Sequence, residues 1–210
     1  MKTMMKDPSF FNPKLRLVTK TALKILQKGF TNWNTNTILR SFKKSYLQNM
    51  SGRIKIYTDG SSRGNPGPGG YGIIMEWEGK DYVKEFSEGF RLTTNNRMEL
   101  LAVIIALETL KTQPMEVMVF SDSKYVIDAV QKKWVFNWEK KAFKNKKNSD
   151  LWKRYLIIHR KHNVSFQWIK GHNAHSQNER CDHLAEKAAK HSPINVDAFY
   201  EQNQNKSDPF

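Results

Sequence analysis

A chain of 210 residues with 39% hydrophobic and 12% aromatic content has apolar material for one packed domain, which excludes wholesale disorder. Its 35 Lys and Arg against 20 Asp and Glu leave a formal charge of +15, a field that attracts polyanions, nucleic acid first among them. The single cysteine, Cys181, excludes an internal disulfide and fits a reducing compartment, and no apolar run approaches the roughly 18 residues of a membrane-spanning helix.

Residues 1–50 hold ten Lys and Arg against one acid, Asp7. Within them Leu15, Val18, Ala22, Ile25 and Leu26 recur at helical spacing among lysines, which predicts a basic amphipathic helix over 14–28. Three readings suit this extension equally: an organellar transit peptide, a tail that adds nonspecific nucleic-acid affinity, or sequence upstream of a true start at Met50. From Arg53 the pattern turns regular. Residues 54–58 alternate as a strand that ends at Asp59-Gly60, and the GNPGPGG run over 64–70 predicts a sharp turn. Residues 71–77 and 82–90 read as two further strands joined at Gly79.

A helix is expected over 98–110, a short buried strand over 117–121 and a helix over 123–131. Residues 132–147 interleave Trp with Lys, after which helix (151–159), strand (164–169) and helix (177–191) follow. The polar residues 192–210 are expected to fray. Hairpins followed by alternating helix and strand predict an α/β domain over 51–191, a mixed sheet with helices on its faces.

Four acids fall at element ends: Asp59 closes the first strand, Glu99 opens the first helix, Asp122 follows the fourth strand, and Asp182 lies in the last helix. Singly, each has a local explanation. Asp59-Gly60 makes a turn, Asn96-x-x-Glu99 matches a capping box, Asp122 caps the next helix, and Asp182 is a solvated helix residue. Together they suggest one crevice, where strand ends meet the start of a helix. Two unit charges about 4 Å apart are opposed by roughly 4 kcal/mol at an effective dielectric of about 20, so such a cluster calls for cations. Oxygen ligands without a cysteine partner favour Mg²⁺ or Mn²⁺, and a pair of these ions supports in-line attack of water on phosphorus.

The segments YTDGSSRGNPGPGGYG from Tyr57, TTNNRMELLA from Thr93, SDSKYV from Ser121 and WIKGHNAHSQNERCDHLA from Trp168 together resemble type 1 ribonuclease H. The similarity spans residues 53–191, with the motifs in family order. It implies a ribonuclease H-like fold, with a five-stranded mixed sheet of three antiparallel strands and then parallel ones, flanked by helices. It also implies that Asp59, Glu99, Asp122 and Asp182 are metal-binding catalytic carboxylates, with two Mg²⁺ or Mn²⁺ ions in the substrate complex. His172 matches the loop histidine that assists proton transfer or product departure, a task that suits its neutral-range titration. A zinc site of His172, His175, Cys181 and His183 is the weaker reading, because Cys181 and His183 fall on different faces of one helix.

The expected substrate is an RNA/DNA hybrid, selected by reading 2'-hydroxyls on one strand and tolerating their absence on the other. The resemblance assigns the minor-groove contacts to Gly64, Asn65, Asn95 and Asn96, and adds Ser123 beside the third carboxylate. Thr94 and Asn137 match residues that hold a DNA phosphate, while Trp134, Trp138, Lys140 and Lys141 belong to a basic protrusion that packs sugars and phosphates. Two positions depart from the family pattern: Leu92 replaces an arginine, with Arg91 next to it as a substitute, and Lys124 replaces a glutamine. The implied activity is endonucleolytic cleavage of the RNA strand, leaving 5'-phosphate and 3'-hydroxyl ends, in the removal of R-loops and RNA primers. A cytoplasmic monomer is expected, with organellar targeting by residues 1–50 as the alternative.

Overall fold

The alternating apolar residues from Ile54 onward build a five-stranded sheet, seen in a computed structural model that describes residues 52–112, 114–171, 175–191 and 193–204. The extension 1–50 with its expected helix, His172, and the last residues 205–210 lie outside the described residues. Strands β1 (Ile54–Ser62), β2 (Gly67–Trp77) and β3 (Val83–Thr93) form an antiparallel meander. Strands β4 (Glu116–Ser121) and β5 (Asn163–Trp168) add in parallel beside β1, giving the order β3-β2-β1-β4-β5. The helices are α1 (Asn95–Thr109), α2 (Lys124–Gln131), α3 (Trp134–Lys140), α4 (Ser149–His159), α5 (Ser176–His191) and α6 (Ala198–Gln204). This is the α/β arrangement expected, three antiparallel strands and then parallel ones.

Ile54, Ile56, Ile73 and Met75 join α1 in the main core, and Met98, Leu100, Val103, Ile104 and Leu107 are buried along that helix. A second cluster of Tyr57, Ile74 and Cys181 lies under α5. Two glycines set how closely the helices approach. A Cβ at Gly60 would stand 2.2 Å from the Glu99 nitrogen of α1, and one at Gly72 would stand 2.0 Å from the Cys181 carbonyl oxygen of α5. Gly72 is the register partner of Asp59. Both helices therefore meet the sheet at the level of Asp59 and Gly60, where no side chain holds them off.

The boundaries shift where glycine serves packing rather than turning. The expected turn over 64–70 shrinks, because Ser61 pairs with Gly70 and Ser62 with Gly69 as strand residues. What remains is closed by the Arg63 N–H donating to the Pro68 carbonyl at 2.7 Å, with Gly64 at φ +90° and a cis Asn65-Pro66 bond. The capping box at Asn96 does not form: Thr94 is the N-cap of α1, and Glu99 turns its carboxylate elsewhere. Ser123, not Asp122, caps α2, accepting from the Val126 N–H at 3.2 Å.

The residues after 192 do not simply fray. Asn195 bridges to Phe90 of β3, Asp197 is buried, and α6 follows. Their polarity matches polar partners on the folded domain, so burial here is driven by ion pairing rather than by apolar area.

Candidate active site

The parallel register of β1 and β4 sets Tyr57 against Phe120. Two residues beyond each come Asp59 and Asp122, at one height of the sheet. Asp122 follows the end of β4, whereas Asp59 lies within β1, which runs on to Ser62 instead of ending at Asp59-Gly60. Glu99 reaches that height from α1 through the contact at Gly60, and Asp182 from α5 through the contact at Gly72. Asp59 is 9% exposed and accepts the Gly60 N–H at 2.7 Å. Burial pushes its carboxyl up to about 8, and repulsion by Asp122, Asp182 and, more weakly, Glu99 pushes the same way against the Gly60 hydrogen bond. Burial raises Glu99 to about 7 with help from Asp122, while hydrogen bonds from Ser123 and Asn95 oppose the rise.

Glu99 and Asp122 also have defined neighbours of their own. Asn95 Nδ2 donates to Glu99 Oε1 at 2.9 Å and Ser123 Oγ donates to Oε2 at 2.5 Å. The backbone of Gly171 sits so close to Asp122 that a Cβ there would be 2.5 Å from its Oδ2. Trp168 Nε1 donates to the Asp122 carbonyl at 3.1 Å. Among the described residues no three His, Cys, Asp or Glu side chains are arranged to hold a metal ion by themselves. The four acids are electrostatic neighbours around Asp59, and both Glu99 oxygens accept hydrogen bonds from Asn95 and Ser123.

The glycine-rich turn lies against the start of α1, where Asn65 Oδ1 accepts the Asn95 backbone N–H at 3.3 Å. Asn65 and Asn96 are exposed, and Thr94 is half-buried. Asn95 and Ser123, expected as substrate contacts, are here engaged with Glu99. Trp134, Asn137, Trp138 and Lys140 lie on α3, and Lys141 is its C-cap. Trp134 is 43% exposed, with the Lys132 ammonium 5.0 Å from its ring centre, whereas Trp138 packs edge-on against buried Trp152.

Arg91 is an exposed residue of β3. It forms an ion pair of three hydrogen bonds with Glu201, so it is already engaged where Leu92 leaves the family arginine missing. The Lys124 ammonium stands 5.4 Å from the ring centre of Trp168. Cys181 is buried and donates to the Tyr57 carbonyl, while His183 is exposed, so these two residues do not share a site.

The motifs did not single out Trp168 or Gly171 as neighbours of Asp122, and a strand-end tryptophan and a loop glycine give no pattern that would reveal it. Arg97 was also missed. A lone arginine inside the apolar face of α1 was its signal, and it is 1% exposed and bonded to Asp150 and Asp197.

Known proteins share this arrangement. The ribonuclease H family model matches residues 51–190. A ribonuclease H of Shewanella denitrificans is 50% identical over 155 residues, covering 71% of this chain and 95% of that protein. The crystal structure of LC9-RNase H1, described as a type 1 RNase H with the type 2 active-site motif, matches with a TM-score of 0.60 at 32% identity. That match covers 66% of this chain and 72% of LC9-RNase H1. LC11-RNase H1, solved in complex with an RNA/DNA hybrid, matches with a TM-score of 0.51 at 30% identity, over 65% of this chain and 96% of that one. With the family's sheet, its motifs in order and half of the aligned residues identical to a curated relative, the chain belongs to the ribonuclease H family as a type 1 endoribonuclease.

Proposed function

We propose that this protein hydrolyses the RNA strand of RNA/DNA hybrids, with Asp59, Glu99, Asp122 and Asp182 binding two divalent cations, Mg²⁺ or Mn²⁺. The observation that carries the proposal is the burial of Asp59 where the charges acting most strongly on it are three other carboxylates. Such a site gains from a hard cation, and its donors are all oxygen. Mg²⁺ takes one or two carboxylates and completes its shell with water and phosphate oxygens. When bound, a pair of such ions stabilises charge on the attacking and leaving oxygens of the phosphodiester.

The chain's own residues supply orientation. Ser123 and Asn95 fix the rotamer of Glu99, and Gly171 and Trp168 hold Asp122 from its side-chain and backbone ends. Gly64, Asn65, Asn95 and Asn96 form the edge that reads the minor groove, where their amides pair with 2'-hydroxyls and base edges. Thr94 and Asn137 hold a DNA phosphate, while Trp134, Trp138, Lys140 and Lys141 pack the DNA strand against α3. His172 moves a proton or aids departure of the product. Cleavage leaves 5'-phosphate and 3'-hydroxyl ends, chemistry suited to R-loops and RNA primers. Among the described residues no helix is long and apolar enough to cross a membrane.

The test is cleavage of an end-labelled RNA/DNA hybrid with Mg²⁺ by the full chain and its Asp59→Asn and Asp122→Asn variants. Each variant should lose at least about 10²- to 10³-fold in rate, the scale of losing one charge stabiliser, while hybrid affinity stays within a few-fold. Full activity in both variants would sink the metal assignment.

A further inference from the structure

We propose that the C-terminal segment 193–204 positions the first turn of α1, through Asp197 and Arg97, so that hybrid binding and cleavage depend on residues beyond the matched family domain. The inference rests on the function proposed above, since it assigns that turn its substrate and carboxylate roles.

The first turn of α1 carries Asn95 and Asn96 and leads into Glu99, yet it lacks the usual local anchors. Thr94 at the N-cap makes no side-chain capping bond, and no acid stands in the turn. From Met98 onward the helix is held by the core, while Asn95 and Asn96 at its start stand outside that cluster. Tertiary partners replace the cap. Arg97, 1% exposed, donates from Nε and Nη2 to the two oxygens of Asp197 at 2.6 and 2.7 Å, and from Nη1 and Nη2 to Asp150 of α4 at 2.9 and 2.6 Å. Asp197 also accepts the Thr93 hydroxyl at 2.8 Å, so one carboxylate ties the end of β3 to the start of α1.

Helix geometry turns this anchor into an aiming device. At about 100° per residue, Arg97 projects roughly 160° away from both Asn95 and Glu99, which share the opposite face. Holding Arg97 therefore sets the rotation of the turn about its axis, and with it the direction of Asn95 and Glu99. The segment that supplies Asp197 is itself fastened. Asn195 exchanges backbone hydrogen bonds with Gly89 and Arg91 of β3 at 3.0 Å each. Glu201 of α6 holds the Arg91 guanidinium by three hydrogen bonds, and the rings of Phe199 and Tyr200 each lie 5.7 Å from the Arg97 guanidinium carbon. The family match ends at residue 190, so these contacts come from outside it.

A strut that merely adds stability and a device that aims α1 predict different outcomes. The experiment compares the full chain with its Asp197→Ala, Asp197→Asn and Glu201→Gln variants. Hybrid affinity is measured by fluorescence anisotropy in EDTA and kcat with Mg²⁺, at a temperature where circular dichroism shows each variant folded. Asp197→Ala should weaken hybrid binding about threefold or more and lower kcat about tenfold, the cost of misplacing a reacting group, and Asp197→Asn should recover part of both. Glu201→Gln loosens the segment without stranding Arg97 and should weaken binding about twofold, so it remains informative if Asp197→Ala does not fold. Wild-type affinity and kcat in the folded variants, with only a lower melting temperature, would overturn the proposal. A wild-type chain that cleaves no hybrid would instead overturn the functional reading on which it rests.

Discussion

Asp59 and Glu99 are held protonated by their surroundings until about pH 8 and about pH 7, well above the ordinary carboxylate range, first by burial and then by neighbouring acids. A folded-state pKa raised above the unfolded value favours folding below the unfolded pKa, and that stability is lost as pH rises through the folded value. Without metal, the melting temperature should therefore fall between about pH 5 and about pH 9 as these two groups ionise against each other. Added Mg²⁺ should restore stability more at the upper end, because cation binding requires the deprotonated form and releases protons. Thermal melts in EDTA and in Mg²⁺ across that range check this; a melting temperature independent of both would show that the carboxylates do not repel one another as their burial requires. At this scale the sequence marked Asp59, Glu99, Asp122 and Asp182 by their places at element ends and in motifs. It was a poor guide to their orientation, since the capping box read at Asn96 and the cap read at Asp122 both gave way to contacts across the fold.

Helix α3 and the turn after it show how an element can be legible in composition and not in conformation. Interleaved Trp and Lys marked residues 132–147 as a polyanion surface, but the same letters did not reveal a helix of seven residues, Trp134–Lys140. Its N-cap Lys133 and the following Ala142, Phe143 and Asn145 all adopt positive φ. Such turns hold because Val135 and Phe143 are buried beneath the exposed lysines, a tertiary gain that overrides local preference. Lys140 and Lys141 remain exposed to solvent rather than joining the core. Replacing both with Ala should lower the slope of log affinity against log salt by about 0.9 for each phosphate that is no longer neutralised, without changing cleavage at saturating hybrid. Binding titrations at several salt concentrations measure this, and an unchanged slope would remove α3 from the substrate path. The same logic explains the two tryptophans, which their shared motif does not distinguish. Trp134 faces solvent, and Trp138 is braced against Trp152.

For the whole molecule, the proposed site residues all lie between Asp59 and Asp182, inside the family match over residues 51–190. Deleting residues 1–49 should leave kcat within about twofold while weakening hybrid binding, with a shallower salt slope as basic charge is removed. An unchanged affinity would favour the upstream-start reading of the extension over a nucleic-acid-binding tail. The sequence by itself determined the order of the elements and the mixed sheet and marked four acids as candidates, because strand alternation, helical spacing and short motifs are written in neighbouring residues. Only the tertiary structure decided what those acids and their supports touch. Ser123 reaches Glu99 across 24 positions, Asp197 reaches Thr93 across 104, and Glu201 reaches Arg91 across 110. Partners so far apart leave no periodic trace, since they are selected by how the helices close on the sheet at Gly60 and Gly72, and that closure turned a polar tail into part of the frame that holds α1.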